Sequence, residues 1–357
     1  MSARGEITGV QYLRGLAAVA VVIDHTAGTI GQDKYFGGFL LGRILESGRI
    51  GADLFFLISG FIITIVSLKG ADLAPAVGYR TFFERRLTRI LPLMWLAVLA
   101  NMAARAAGPG LGDLSAYLHA WFLLPWGIVR PPVIWTLRQE LIFYLFFAVA
   151  MLGPRKLRIV LLLWMCAPLL RPFYGPEIRG SLREFLFILC HGSAVEFGAG
   201  MLLGWIWLAR SRDLTIRLPF EPLAALTLAF CLPLGVTAIS QVGFGVWAAP
   251  GMMAVACLPV MFLGIHAACP DGWGKRVGSL LGNASYSIYL FHSLVVSALA
   301  GLAFKLARDL PPGPIVAVIV VVAVLAGIAI HMLIEKPLIA GVRHLFERRV
   351  KPGVSEG

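Results

Sequence analysis

The chain has 357 residues, of which 59% are hydrophobic and only 14% are charged, and its formal net charge is +12. Soluble globular domains are less apolar and carry about 25% charged residues, so this composition excludes an ordinary soluble protein. The mean hydropathy of +0.83 indicates instead a polytopic bundle of membrane-spanning helices, an all-α fold.

Repeated apolar stretches of about 20 residues, each long enough to cross a bilayer core, run along the chain. They predict ten spans, near residues 10–29, 50–68, 88–106, 132–152, 157–170, 185–209, 218–238, 244–266, 279–303 and 313–334. A shorter apolar stretch at 116–127 predicts an interfacial or re-entrant segment. The first apolar run contains Arg14 and Asp24 and has no convincing cleavage site, so we expect no cleavable signal peptide.

The distribution of basic residues predicts the orientation of these spans. If the N-terminus lies inside, a majority of the 31 Lys and Arg residues fall on inner segments. The positive-inside rule then places both termini in the cytoplasm. We expect one membrane-embedded domain over residues 1–335. Residues 336–357 would form a basic cytoplasmic tail, partly amphipathic and suited to the membrane surface.

The first span contains two ionisable residues, Arg14 and His25. Eleven residues correspond to about three helical turns and a net rotation of about 20°, so both side chains share one helix face. Ionisable groups at membrane depth are costly and usually face the bundle interior along a functional path. An ion pair that only joins helices is the alternative interpretation.

Depth along the predicted spans places His25, Asp53 and Glu140 in one outer layer. A histidine has an unperturbed pKa of about 6.5 and serves as a general base, which a carboxylate partner can orient. Asp53 could equally be a structural residue, whereas Arg138 could hold Glu140 charged or position substrate. Asp24 is turned about 100° from His25 on the helix and is a less suitable partner.

A cluster of basic residues opens the third span on its cytoplasmic side. Arg86 and Arg89 are three residues apart and share a helix face, so two guanidinium groups could grip phosphate or pyrophosphate. Arg85, Arg86 and Arg89 could also be simple positive-inside anchors. Arg14 lies on the same side of its helix, which favours an anionic ligand that enters from the cytoplasm.

Hydroxyl and imidazole groups form one stripe on the ninth span. Ser285, Tyr286, Tyr289 and His292 recur at three- and four-residue spacing. They could line a channel between the two layers or hydrogen-bond across helices. Glu335, before a proline at a helix end, is predicted to be structural.

Other polar or reactive residues give weaker signals. His191 and Glu196 are interpreted as polar helix–helix contacts. The five cysteines lie in or beside apolar spans without C-x-x-C spacing. We therefore expect core-filling cysteines, with neither a disulfide nor a metal site.

Taken together, these motifs resemble the acyltransferase 3 family of integral-membrane acyltransferases. The opening GVQYLRGLAAVAVV is most similar to bacterial exopolysaccharide O-acetyltransferases. One departure is Thr136, where the family commonly has Ser, and the hydroxyl is kept. The matching motifs, in chain order, are R-x10-H at Arg14 and His25, GADLFFLISGF around Asp53, R-x-x-R at Arg86 and Arg89, the segment Glu140–Phe143–Tyr144, SYSIYLFH ending at His292, and E-x-P at Glu335.

The resemblance implies an inner-membrane enzyme that moves an acyl group, usually acetyl, from cytoplasmic acyl-CoA to a carbohydrate hydroxyl. The acceptor would be a lipid-linked or exported polysaccharide, and neither nucleic acid nor a metal is expected. His25 would be the base, with Glu140 or Asp53 as its partner; direct transfer and an acyl-histidine intermediate both remain open. The donor residues would be Arg86 and Arg89 on the CoA phosphates, with Arg14, Tyr286 and His292 along the donor path.

A transporter or flippase of lipid-linked sugars is the competing class. Many helices, buried charges and a break such as Pro250–Gly251 suit a transporter too. The sequence shows no paired half-repeats, and six motifs in the family's order favour the enzyme. Another acyl group, such as succinyl, or another acceptor, such as a lipid or peptidoglycan sugar, would keep the same fold.

Overall fold

The described part of the protein is mostly helical. The computed structural model describes residues 7–37, 45–108, 110–168, 181–211, 213–218, 220–243 and 249–342. Two short antiparallel strands, β1 (Leu68–Lys69) and β2 (Ala74–Pro75), form the one sheet within these ranges. The helices are α1 (Thr8–Ile30), α2 (Ile50–Ser67), α3 (Tyr79–Ala106), α4 (Ser115–Phe122), α5 (Ile134–Phe147), α6 (Arg158–Cys166), α7 (Ser181–Leu189), α8 (Ser193–Ile206), α9 (Pro222–Gly243), α10 (Ala249–His266), α11 (Trp273–Leu306) and α12 (Pro312–Ile330).

Among the described residues, seven helical segments are long and apolar enough to cross a membrane, which confirms the predicted helical membrane class. They are Thr8–Ile30, Ser47–Ser67, Tyr79–Ala106, Ile134–Leu152, Leu182–Arg210, Trp273–Leu306 and Pro312–Val342. The remaining predicted spans, at 157–170, 218–238 and 244–266, coincide with shorter apolar helices or reach beyond the described residues. Helix α4 has eight residues and is too short to cross a bilayer, so the 116–127 stretch is not a span. Most of the predicted tail, from residue 343 onward, lies outside the described residues.

Helices α1 and α11 run parallel and in close contact. A Cβ atom at Gly15 would lie 2.7 Å from Cβ of Leu281, and one at Gly282 would collide with the carbonyl of Gln11. Such small residues let two backbones approach closely in a membrane bundle. Polar side chains at matching heights of α1 and α11 therefore face each other directly.

Helix α2 packs against α1 on one side and against α8 on the other. Cβ atoms at Gly60 and Gly200 would collide with the carbonyls of Phe197 and Leu57 respectively, so the α2–α8 contact is also made through glycine. The aromatic ring of Phe143 on α5 stacks on Phe197 with centroids 4.0 Å apart. This aromatic packing sets the rotation of α5 and thereby the direction in which its polar residues point.

Candidate active site

A cavity of about 190 Å³ lies between α1, α2, α3, α5 and α11. Of the described side chains that line it, four are charged, and three of these are arginines. Apolar side chains from α2 form much of the remaining wall. Its lining includes Gln11, Arg14, Phe55, Phe56, Ser59, Ile62, Arg86, Arg89, Ile90, Thr136, Glu140, Tyr144, Ser285, Tyr286 and Tyr289. We call this space the arginine cavity.

Arg14 is anchored to the wall of the arginine cavity by side chains of α1 and α11. One guanidinium nitrogen donates to Oε1 of Gln11 at 3.1 Å, and the other donates to Oγ of Ser285 at 3.0 Å. The Ser285 hydroxyl in turn donates to the carbonyl of Gly282 at 2.7 Å. The R-x10-H arginine is thus held by the ninth-span stripe, at the level of Ser285.

Arg86 and Arg89 reach the same cavity from α3. Arg89 is exposed and Arg86 is half-buried. The Nε of Arg86 is buried without a hydrogen-bond partner among the described residues, although Glu140 and Tyr144 lie within electrostatic range. A buried donor without an acceptor is costly. An anionic ligand in the cavity would supply that acceptor.

Glu140 lies in the arginine cavity and not beside His25. Its Oε1 accepts hydrogen bonds from the hydroxyls of Ser59, at 3.1 Å, and Tyr144. Arg138 turns the other way and donates to the carbonyl of Gly127 at 3.1 Å. The expectation that Arg138 would hold Glu140 charged is therefore wrong, because the guanidinium that faces Glu140 belongs to Arg86.

Asp53 faces α8. Its carboxyl group interacts with that of Glu196, and Arg49 acts on it electrostatically. Asp53 and Glu196 thus join α2 to α8. The prediction that His25, Asp53 and Glu140 share one outer layer is wrong. Glu140 lies in the arginine cavity, Asp53 faces Glu196 and His25 contacts His292.

His25 is paired with His292. Its Nδ1 lies 2.6 Å from Nε2 of His292. The ring planes differ by 5° and the centroids are 4.8 Å apart. The two ring centroids are much farther apart than the two nitrogens. The coplanar rings therefore meet edge to edge, as an in-plane hydrogen bond requires. His292, predicted to line a channel or to bond across helices, bonds across helices.

The backbone fixes the tautomers of this histidine pair. Nδ1 of His292 lies 2.7 Å from the carbonyl oxygen of Tyr289, which can only accept, so this nitrogen donates. In the neutral ring Nε2 of His292 must then accept, and Nδ1 of His25 must donate. Nε2 of His25 is left with a free lone pair. The side chain of His25 is 45% exposed, whereas His292 is 1% exposed.

Among the described side chains, the carboxylate that lies within ion-pair distance of His25 is one that sequence reasoning set aside. Oδ2 of Asp24 lies 3.9 Å from Nε2 of His25. This distance is too long for a hydrogen bond but short enough for an ion pair with a protonated imidazole. Adjacency in sequence was the available signal, and the helical rotation of about 100° argued against it.

Tyr286 and Glu335 contact neighbouring helices. The hydroxyl of Tyr286 donates to the carbonyl of Ile90 at 2.7 Å, which joins α11 to α3 beside the arginine cavity. Oε2 of Glu335 accepts from Ser287 at 2.7 Å and lies 2.7 Å from Nδ1 of His331. These contacts are in keeping with the structural role predicted for Glu335.

Comparison with known proteins gives one family and several relatives. A family model described as an acyltransferase domain matches residues 7–332. The exopolysaccharide production protein ExoZ of Rhizobium meliloti (strain 1021) is 30% identical over 336 residues, which cover 88% of this chain and 96% of that protein. Acyltransferase MdmB of Streptomyces mycarofaciens is 26% identical, covering 91% of this chain and 89% of that protein.

More distant relatives are longer than this chain. A protein of Staphylococcus aureus (strain COL) with a provisional O-acetyltransferase name is 23% identical, over 82% of this chain and 51% of that protein. The chain thus spans about half the length of that relative. No solved structure matches the chain.

Proposed function

This chain belongs to the family that the matching acyltransferase domain defines, and from that premise we propose that it moves an acyl group from acyl-CoA to a carbohydrate hydroxyl. Acetyl is the proposed group, and a cell-surface or exported polysaccharide is the proposed acceptor. The observation that carries the proposal is that a cationic cavity and the His25–His292 pair lie at two levels of α1 and α11. The exopolysaccharide name of one relative supports this acceptor class.

We place the enzyme in the bacterial inner membrane with about ten spans and both termini in the cytoplasm. The surplus of basic residues on the inner segments supports this orientation. The arginine cavity then opens toward the cytoplasm, where acyl-CoA is made. His25 then lies on the outer side, toward an exported acceptor.

Acyl-CoA would bind with its phosphates on the arginines and its thioester arm in the cavity. Within the described lining, Arg14, Arg86 and Arg89 face one carboxylate, Glu140, so positive charge is in excess for an anionic donor. The volume of about 190 Å³ is below the roughly 300–1,000 Å³ of typical ligand pockets. A cavity of this size suits the thin pantetheine arm, with the nucleotide at the cytoplasmic mouth.

His25 would act as the general base through the free lone pair on Nε2. It takes the proton of the acceptor hydroxyl as the oxygen attacks the thioester carbonyl, and it returns that proton to the departing thiolate. His292 keeps the ring oriented through Nδ1, and Asp24 stabilises the imidazolium from 3.9 Å. The same lone pair would attack the thioester if an acyl-histidine intermediate forms.

The test compares surface glycans from a deletion strain that carries the wild-type gene, His25→Ala or His119→Ala. His119 is a matched control because it contacts a backbone carbonyl on α4's loop, away from the histidine pair. Mass spectrometry should find acetyl esters with wild type and His119→Ala and lose them with His25→Ala. Unchanged acetylation in the deletion strain itself would refute the proposal. A flippase would instead alter the amount of surface glycan and leave acetylation per sugar unchanged.

A further inference from the structure

Three buried side chains form a small hydrophobic cluster, and a fourth, partly buried, packs against it and against two neighbouring clusters. They are Val21 on α1, Phe55 on α2, Val133 just before α5, and Tyr289 on α11. Phe55 and Tyr289 meet edge to face, with ring centroids 5.8 Å apart and planes at 71°. We call this cluster the plug.

The plug lies between the arginine cavity and the histidine pair. On α1, Val21 comes about two turns after Arg14 and about one turn before His25. On α11, Tyr289 comes one turn after Ser285, which contacts Arg14, and one turn before His292, which contacts His25. Phe55 and Tyr289 line the cavity, whereas His25 does not. Two helices thus place the plug independently on the path from donor to base.

Tyr289 is held in place from both sides. Its hydroxyl accepts from Oγ1 of Thr136 at 2.9 Å and donates to the carbonyl of Val133 at 3.2 Å. Its own carbonyl accepts from His292 at 2.7 Å. A ring fixed in this way cannot rotate freely to make room, so free space at the plug depends mainly on Phe55 and Val21.

We propose that the plug is the determinant of acyl-group size, and that Phe55 is the residue that limits it. This inference rests on the proposed transfer from acyl-CoA. The acyl group must pass or enter the plug to reach His25, and each added methylene must then be fitted among packed side chains. Closely packed apolar sites discriminate one methylene by about 10–200-fold. The plug therefore admits acetyl and rejects longer acyl groups.

The experiment uses membrane vesicles from a deletion strain that expresses the wild type or one variant. The vesicles supply the natural acceptor, and acetyl-, propionyl- and butyryl-CoA are the donors. Acyl esters on the glycan are quantified by mass spectrometry. Wild type should favour acetyl over butyryl by about a hundredfold, and Phe55→Ala should reduce that preference by about tenfold or more. Val21→Ala removes volume from another helix of the plug and should act in the same direction, should Phe55→Ala fail to fold.

Two controls separate the plug from general effects. Phe122→Ala makes the same substitution at an exposed position on α4 and should leave the acyl preference unchanged. Ile62→Ala widens the arginine cavity about two turns of α2 away from Phe55, and should also leave it unchanged. An equal shift with Ile62→Ala would overturn the inference, because the whole cavity would then set the size.

The two proposals fail differently. If wild type transfers acetyl and folded Phe55→Ala and Val21→Ala keep its preference, the plug inference is wrong and the proposed function stands. If wild type transfers no acyl group from any of the three donors, the proposed function is wrong and the plug inference falls with it.

Discussion

His25 and His292 share a hydrogen bond of 2.6 Å between α1 and α11, and a backbone carbonyl at the far end sets its direction. The carbonyl of Tyr289 can only accept, so both rings are held in defined tautomers. Nε2 of His25 is therefore unprotonated and held in a fixed orientation, ready to accept a proton. Preorganisation of this kind lowers the entropic cost of reaching the reactive geometry.

We expect His25→Ala to reduce acetyl transfer by about 10²–10⁴-fold, the usual cost of losing a general base. Donor affinity should stay near that of the wild type, because the arginines that would bind CoA line a cavity that His25 does not touch. Turnover and CoA affinity are measured on purified protein whose fold has been checked. Near-normal transfer would remove His25 from the mechanism. Loss of CoA binding would show that donor site and base are not separate.

His292 is predicted to act as a positioning residue. His292→Phe keeps an aromatic ring but removes the acceptor for Nδ1 of His25, so the His25 ring can rotate and change tautomer. A misplaced catalytic group can cost about 10²-fold in rate. We expect kcat to fall by about this factor with the donor KM unchanged, and the pH profile of kcat to change shape. A His292→Gln variant retains an acceptor for Nδ1 of His25 and should recover part of the rate. If both variants lose the same rate and the pH profile is unaltered, His292 has only a packing role.

The inward-facing arginines were predictable from sequence, but the depth of Glu140, the helix rotations and the partners were not. The R-x-x-R spacing and the Arg14–His25 face predicted which residues point inward, and the arginines do line one cavity. Which helix faces which was not encoded in any single motif. Ser285 and His292 meet Arg14 and His25 because glycines bring α1 and α11 together in parallel.

The error at Glu140 has a simple physical cause. Arg138 and Glu140 are two residues apart, and side chains at that spacing on a helix do not face each other. Aromatic packing of α5 then turns Glu140 toward the arginine cavity and Arg138 toward Gly127. Asp53 was misplaced for a similar reason, since the glycine contact between α2 and α8 directs it toward Glu196.

The donor site should lose affinity when its arginines are removed. Hydrogen bonds to charged groups contribute about 1.5–3 kcal/mol each, so Arg86→Ala and Arg89→Ala should each weaken acetyl-CoA binding by about ten- to a hundredfold. Arg85→Ala is the matched control, because Arg85 is exposed on the same helix and does not line the cavity. Affinity is measured by equilibrium binding of radiolabelled acetyl-CoA. If all three variants bind acetyl-CoA as tightly as the wild type, the arginine cluster serves only to set the orientation of the helix in the membrane.

The orientation can be tested by cysteine accessibility. After replacement of the five native cysteines, Gln32→Cys and Asp271→Cys are compared in intact cells with an impermeant maleimide. The distribution of basic residues predicts that Gln32 is outside and Asp271 is inside. We expect only the Gln32 variant to react until the membrane is permeabilised. The reverse pattern would place His25 on the cytoplasmic side and contradict the proposed path from donor to acceptor.

Glu140→Gln distinguishes a donor-site carboxylate from a partner of His25. The amide keeps an acceptor for Ser59 and Tyr144 but removes the negative charge beside Arg86. We therefore expect the KM for acetyl-CoA to fall several-fold, because the carboxylate that repels the donor's phosphates is gone. We expect kcat to stay within about twofold of the wild type. Steady-state kinetics with varied acetyl-CoA measure both constants, and Asp53→Asn, on the opposite face of α2, should leave both unchanged. A large drop in kcat at constant KM would instead assign Glu140 to proton transfer, and would require a rearrangement that brings it to His25.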